Sequence, residues 1–122
     1  MLNNLQNLGK LGEGIAKTHL KNNGYTIIET NWRFKKYEID IIGKKNNTIV
    51  IVEVKARSGN AYGEPESFVS KQKQQFLIRA AHNYLVEKNI DLECRFDIIS
   101  ILIINNNPVV KHIEGAFYPK VQ

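Results

Sequence analysis

Two runs of branched apolar residues, Tyr37-Glu38-Ile39-Asp40-Ile41-Ile42 and Ile51-Val52-Glu53-Val54-Lys55, stand on either side of the polar stretch Lys44-Lys45-Asn46-Asn47. Branched side chains suit a pleated surface, and a lysine–asparagine tract suits a tight reversal, so the segment reads as two strands and a turn. Side chains along a strand alternate between faces. Glu53 and Lys55 therefore point one way, and Val52, Val54 and Ala56 the other. By the same rule Glu38 and Asp40 share a face of the preceding strand. A hairpin of the two strands would set Asp40 beside Glu53 and Lys55, placing carboxylates and an ammonium on an otherwise hydrophobic sheet.

Charges at the margin of a core lose hydration unless they are paired or bind an ion. The Glu-x-Lys triplet alone also fits an ion pair on a solvated sheet face. Asp40 on the neighbouring strand favours the other reading, because clustered carboxylates repel one another without a cation. Oxygen ligands of this kind suit Mg²⁺ or Mn²⁺, which bind through a few carboxylates, water and substrate phosphate. The pattern predicts a metal site for phosphodiester chemistry.

The rest of the chain supplies a frame for that hairpin. Leu8, Leu11, Ile15, His19 and Leu20 recur at helical spacing, and Asn22-Asn23-Gly24 gives a left-handed stop, predicting a helix from about Leu8 to Asn23. Glu13 lies at the edge of its apolar stripe. It is flanked by Gly12 and Gly14, each of which lowers helix propensity by about 1 kcal/mol. A close approach of backbone or ligand would account for that loss; Glu13 also fits a solvated helix carboxylate. Tyr25 to Phe34 reads as the first strand, with Trp32 and Phe34 as core, a base-stacking surface being the alternative for the two rings. Arg33, Lys35 and Lys36 form a basic turn leading into Glu38 and Asp40. A glycine-rich loop, residues 57–65, leaves the proposed site. A second helix is predicted from Ser67 or Ser70 to Glu87, buried through Val69, Phe76, Leu77, Ala80, Ala81, Tyr84 and Leu85. Lys71 and Lys73 occupy its opening turns, where the helix dipole prefers anions, so bound phosphate would relieve the mismatch. Tolerated surface lysines explain them as well. The apolar run from Arg95 to Ile104 predicts a central strand, and Val109 to Ile113 a short edge strand after the turn at residues 105–108.

The order α-β-β-β-α-β implies an α/β fold, a mixed sheet flanked by helices, with a right-handed parallel crossover around the second helix. At 122 residues the chain is expected to form one domain over residues 1–122. Its composition, 43% hydrophobic and 24% charged, is that of a globular protein, and no apolar run is long enough for a membrane span. The N-terminus lacks a secretory pattern, and the single cysteine, Cys94, cannot form an internal disulfide. A cytoplasmic protein with a bystander thiol is the expectation. The net charge of +5 favours a polyanionic partner.

Taken in order, Gly12-Glu13, Glu38-Ile39-Asp40, Val52-Glu53-Val54-Lys55, Lys71 and Arg95-Phe96-Asp97 closely resemble the YraN-like family of small bacterial proteins. That family is similar in turn to archaeal Holliday-junction resolvases and the restriction-endonuclease-like superfamily. The resemblance runs from about Leu8 to Ile113, with one departure: Tyr37 stands where the family usually has glycine. It implies a restriction-endonuclease-like sheet and a Mg²⁺-dependent nuclease site. Asp40 and Glu53 would be metal ligands, completed by Glu13, and Lys55 would orient the attacking water or stabilise phosphate charge. Arg33, Lys35, Lys36, Arg57, Lys71 and Lys73 would grip flanking DNA phosphates, with binding that falls steeply with salt. Nothing in the sequence suggests a base-reading helix, so structure-selective cutting of branched or damaged DNA is expected over sequence-specific cutting. A homodimer, with two sites for two strands, is expected by analogy. The rival expectation is a non-catalytic nucleic-acid-binding module with the same fold.

Overall fold

The apolar run around Glu53 becomes the middle strand of a five-stranded sheet. The computed structural model describes residues 5–59 and 68–119. The elements follow as α1 (Leu5–Asn22), β1 (Thr26–Phe34), β2 (Tyr37–Lys45), β3 (Thr48–Ser58), α2 (Lys71–Glu87), β4 (Glu93–Ile104) and β5 (Asn107–Phe117). Spatial order is β1-β2-β3-β4-β5. Only the β3–β4 pair, joined through α2, is parallel; the other three pairs are antiparallel. The mixed α/β architecture expected from the sequence is the one observed.

Continuous hydrophobicity in β3 has a direct cause, because both of its faces are covered. Ile49 and Ile51 join a core with Leu77, Ala80, Ala81 and Tyr84 of α2, while Val50 and Val52 join Ala16 and Leu20 of α1. These four strand residues are at most 1% exposed, each contributing roughly 1.5–3 kcal/mol of burial. Trp32 is half-buried and packs against this core, its ring meeting Tyr84 edge to face at 5.1 Å. The Cys94 thiol, pushed up to about 11 by burial, fits the bystander reading.

The two glycines around Glu13 have different reasons. A Cβ on Gly12 would lie 2.6 Å from the Cβ of Ala56 in β3, whereas one on Gly14 would meet nothing within 4 Å. Gly12 is thus the point where α1 touches the sheet, and the contact fixes Glu13 at the sheet's rim. Gly12→Ala gains about 1 kcal/mol of helix propensity but must push α1 off β3, costing roughly 1–3 kcal/mol. Urea denaturation is expected to show net destabilisation for Gly12→Ala and stabilisation for Gly14→Ala. Equal effects would remove the packing explanation.

Several boundaries differ from the sequence reading, α1 starting at Leu5 and not at about Leu8, and β4 at Glu93 and not at Arg95. The last strand extends from Asn107 to Phe117 instead of ending at Ile113. A register shift opposite Phe96/Ile98 and a left-handed Gly115 (φ +59°) interrupt its periodicity, yet Phe117 is only 8% exposed and stacks on Phe96. β5 is the edge strand expected at Val109 to Ile113, which the order α-β-β-β-α-β leaves out. The second helix starts at Lys71, because Ser70 caps it by accepting the Lys73 N–H at 3.1 Å. Ser67 and residues 60–65 of the expected glycine-rich loop lie outside the described residues.

Candidate active site

β2 and β3 pair from Lys45↔Thr48 as far as Ile41↔Val52, and there the ladder stops. Asp40 and Glu53 are the next residue on each strand. Ile39 packs in the α2-side core and Ile41 in the α1-side core, so strict alternation breaks at Asp40. Opposite it in β1, Asn31 adopts a left-handed φ of +51°, a conformation asparagine tolerates. Where the strands separate, the Asp40 side chain replaces a ladder carbonyl: its Oδ2 accepts the Val54 N–H at 2.7 Å. Local irregularity in two strands thus holds one carboxylate over the gap between them.

Around that gap, Glu13 from α1, Asp40 from β2, Glu53 and Lys55 from β3 and Lys73 from α2 line a pocket of about 370 Å³. The four residues expected to be catalytic are brought together from three elements, and α2 adds a fifth. Glu13 is oriented by the Asn31 amide, which donates toward both carboxylate oxygens at 3.2 Å. Glu53 is 9% exposed; its Oε2 pairs with the Lys73 ammonium at 2.5 Å. Its Oε1 is buried and has no hydrogen-bond partner among the described residues. Lys55 directs its ammonium to the Phe68 carbonyl at 3.3 Å.

The electrostatics follow from this crowding. Burial pushes the Asp40 carboxyl up to about 7, the Glu53 charge adds to the shift and Glu13 contributes further. The Val54 N–H and the Lys73 charge oppose it without winning. For Lys73, burial lowers the pKa, but the hydrogen bond and charge of Glu53 outweigh it, so the net shift is upward.

The donor set suits one kind of metal and not another. Among the described residues, no group of three or more His, Cys, Asp or Glu side chains forms a ready-made metal cage. Zinc-type sites need such a cage. Mg²⁺ instead uses one or two carboxylates and keeps several waters. Asp40 and Glu53 can supply that pair, and Glu53 Oε1 is a buried acceptor with no donor among the described residues.

The remaining basic residues are spread more widely. Arg33 pairs with Glu38 at 2.7 Å, and Lys35 and Lys36 are exposed at the β1–β2 turn. Arg57 follows two residues beyond Lys55 on β3, and Lys71 is exposed at the start of α2; neither lines the pocket. Lys73, expected to grip a flanking phosphate, here holds Glu53. Sequence reasoning missed Asn31, the Val54 amide and the Phe68 carbonyl. Backbone groups carry no residue signal, and Asn31 could have been flagged only as an asparagine fit for a left-handed position.

A second polar cluster forms at the opposite core. Asp97, 1% exposed, accepts from Arg95 Nε and Nη2 at 2.9 Å and from the Gly115 N–H at 3.0 Å. Its Oδ2 lies 2.7 Å from His112 Nε2, whose other nitrogen, Nδ1, is 3.1 Å from His19 Nε2. Arg95 also donates to the Tyr25 hydroxyl at 2.6 Å. This cluster ties β4 to β5, α1 and the start of β1.

Fold and site together define a small mixed α/β protein with an acidic, lysine-containing pocket where two central strands part. Residues 12–101 match the family described as "Uncharacterised protein family UPF0102", and the chain belongs to it. The YraN-like resemblance is thereby borne out. A UPF0102 protein of Flavobacterium psychrophilum is 47% identical over 91% of this chain and 93% of its own length. One from Bacteroides thetaiotaomicron is 44% identical over 92% and 93%, and one from Alkaliphilus oremlandii 42% over 90% and 97%. Among the described residues, no helix is long and apolar enough to cross a membrane.

Proposed function

We propose that the chain is a metal-dependent endonuclease that hydrolyses phosphodiester bonds in DNA. The observation that carries this reading is Glu53 Oε1, buried without a hydrogen-bond partner among the described residues, next to a second carboxyl, Asp40, that burial and then the Glu53 charge drive toward its protonated form. Such a pair relaxes at neutral pH by taking up a proton or by gaining positive charge beyond that of Lys73. Asp40 and Glu53 would hold a Mg²⁺ or Mn²⁺ ion, with Glu13 at the rim of the same pocket. A divalent ion bound there supplies Lewis-acid charge and lowers the pKa of a coordinated water.

The chain's own residues do the remaining work. The Val54 amide and the strand divergence keep the Asp40 carboxylate in one orientation. Asn31 does the same for Glu13. Lys55 contributes a fixed positive charge beside the scissile phosphate, where charge grows during in-line attack. Lys73 neutralises Glu53 while the pocket lacks substrate and can turn to a phosphate oxygen once it enters. Lys35, Lys36 and Lys71 offer non-specific grip outside the pocket.

The rival, a DNA-binding module without turnover, has one observation in its favour: the Lys73–Glu53 ion pair explains one oxygen of Glu53 without any metal. The other oxygen stays unexplained by it, and Asp40 is then only an acceptor for the Val54 N–H. The test is cleavage of labelled single strands, duplexes, flaps, forks and four-way junctions in Mg²⁺, Mn²⁺ or EDTA. Cutting that needs the metal is expected. If every substrate stays intact while DNA binding is indifferent to EDTA, the binding module is the correct reading.

A further inference from the structure

Tyr37, the residue that departs from the family pattern, has no left-handed backbone to justify; the positive φ at this turn belongs to Lys35 (φ +57°). What the Tyr37 ring does is stack on Phe76 of α2, centroid to centroid at 3.7 Å with the planes 21° apart. It remains 38% exposed. Among the described residues the exposed large aromatic rings are Tyr37, Phe68 at 43% and Tyr118 at 65%; Phe68 meets the acidic pocket through Lys55, and Tyr37 precedes Asp40 on β2. Tyr37 lies three residues before Asp40, roughly 10 Å along β2. Phe76 is one helical turn after Lys73. Phe68 accepts the Lys55 ammonium through its carbonyl, and the same ammonium stands 5.6 Å over its ring.

All of these groups are on one side of the sheet. Ile39 faces α2, and Tyr37, two residues earlier, faces it too; Glu53 and Lys55 share their face of β3 with Ile49 and Ile51, which pack toward α2. An exposed aromatic flanked by cations is a poor neighbour for water and a good one for a nucleobase. Every base has a π-face, its phosphates meet the lysines, and stacking on an aromatic side chain is worth about 1–3 kcal/mol per base. Bases inside a duplex are already stacked on each other and cannot use such a surface.

We propose that Tyr37, backed by Phe76, and Phe68 form a stacking subsite for an unpaired base beside the pocket. The preferred DNA then carries single-stranded nucleotides next to the scissile phosphate, as in a flap, a fork or a frayed end, and not a fully paired duplex or junction. This rests on the DNA-binding part of the preceding reading and not on turnover.

The experiment is fluorescence anisotropy in EDTA, at one fixed salt concentration, with a labelled single strand, a flap, a blunt duplex and a fully paired four-way junction. The wild-type chain is expected to bind the first two more tightly. Tyr37→Ser and Phe68→Ser should each weaken single-strand and flap binding by about 5–100-fold and change duplex binding less than twofold. Tyr37→Trp should preserve the preference, which guards against a mere folding defect. A 2-aminopurine base placed in the single strand should be quenched by the wild type and less so by Tyr37→Ser. Equal losses on single strand and duplex, or none on either, would overturn the subsite. A single-strand preference without any cleavage in Mg²⁺ or Mn²⁺ would keep the subsite and sink the nuclease. Metal-dependent cleavage with no such preference would do the reverse, and no DNA binding at all would remove both.

Discussion

Asp40→Asn is expected to reduce metal-dependent cleavage by roughly 10²–10³-fold, the scale of losing one preorganised charge-stabilising group, and at the same time to stabilise the metal-free protein at pH 8. The two effects have one cause. Folding buries Asp40 beside Glu53 and lifts its carboxyl from 3.8 to about 7. The folded chain therefore holds that proton more tightly than the unfolded chain. Below 3.8 both states are protonated and Asp40 costs nothing. From there upward the cost grows, and above about 7 it is present in full. Asparagine keeps an oxygen for the Val54 N–H and carries no charge, so it escapes the cost. Thermal melts should show the variant ahead of the wild type at pH 8, with the gap closing as pH falls toward 4. Mn²⁺ should raise the melting temperature of the wild type by mass action and leave the variant nearly unmoved. A variant less stable than wild type at pH 8 would mean that Asp40 is a structural acceptor and nothing more.

The largest loss of stability is expected far from the pocket, at Asp97→Ala. Four donors converge on this carboxylate: Arg95 Nε, Arg95 Nη2, the Gly115 N–H and His112 Nε2. An ionised carboxylate cannot donate, so His112 must donate from Nε2, which leaves Nδ1 toward His19. Removing Asp97 strands a guanidinium that is 26% exposed and a histidine that is 10% exposed, and breaking a buried pair in this way costs about 3–5 kcal/mol. Burial raises the Asp97 pKa, but the bonds from His112, Arg95 and Gly115 outweigh it, and the carboxyl is held below its ordinary value. Its contribution is thus complete above the ordinary carboxylate pKa and is lost as acid drives the pH down through the lower folded value. Urea titrations of wild type and variant should differ by a constant margin from pH 5 to pH 8 and converge in stronger acid. A margin under about 1 kcal/mol, the usual size of an exposed pair, would show that the cluster is effectively solvated. Asp97→Asn should lose less, because the amide oxygen can still accept from the Gly115 N–H.

How far each feature could be read in advance depended on whether its cause is local. The strands around Asp40 and Glu53 announce themselves through branched residues, and α1 and α2 through helical spacing, because burial of a face imposes a period on the sequence. The β5 extension to Phe117 was illegible for the converse reason: a register shift and Gly115 break the period while the residues stay paired. Lys73 shows the same limit within the site. Its position near the helix start was visible, and phosphate was a reasonable partner for it, yet its ammonium reaches Glu53 across the gap between α2 and β3. Gly12 and Gly14 look alike in sequence, and only the approach of Ala56 to one of them tells them apart.

By itself, then, the sequence determined the kind of protein this is: a mixed α/β sheet, and a set of carboxylates and a lysine that alternation and order bring within reach of one another. Alternation is a property of the strand backbone and needs no partner to be read. The tertiary structure alone decided how those groups meet. The ladder ends at Ile41↔Val52, the alternation breaks at Asp40, the Val54 amide captures its carboxylate, and Glu53 is left with one oxygen on Lys73 and one without a partner among the described residues. Such contacts join residues far apart in the chain through distances that no local pattern encodes, and burial first, then repulsion from Glu53, raises the Asp40 pKa.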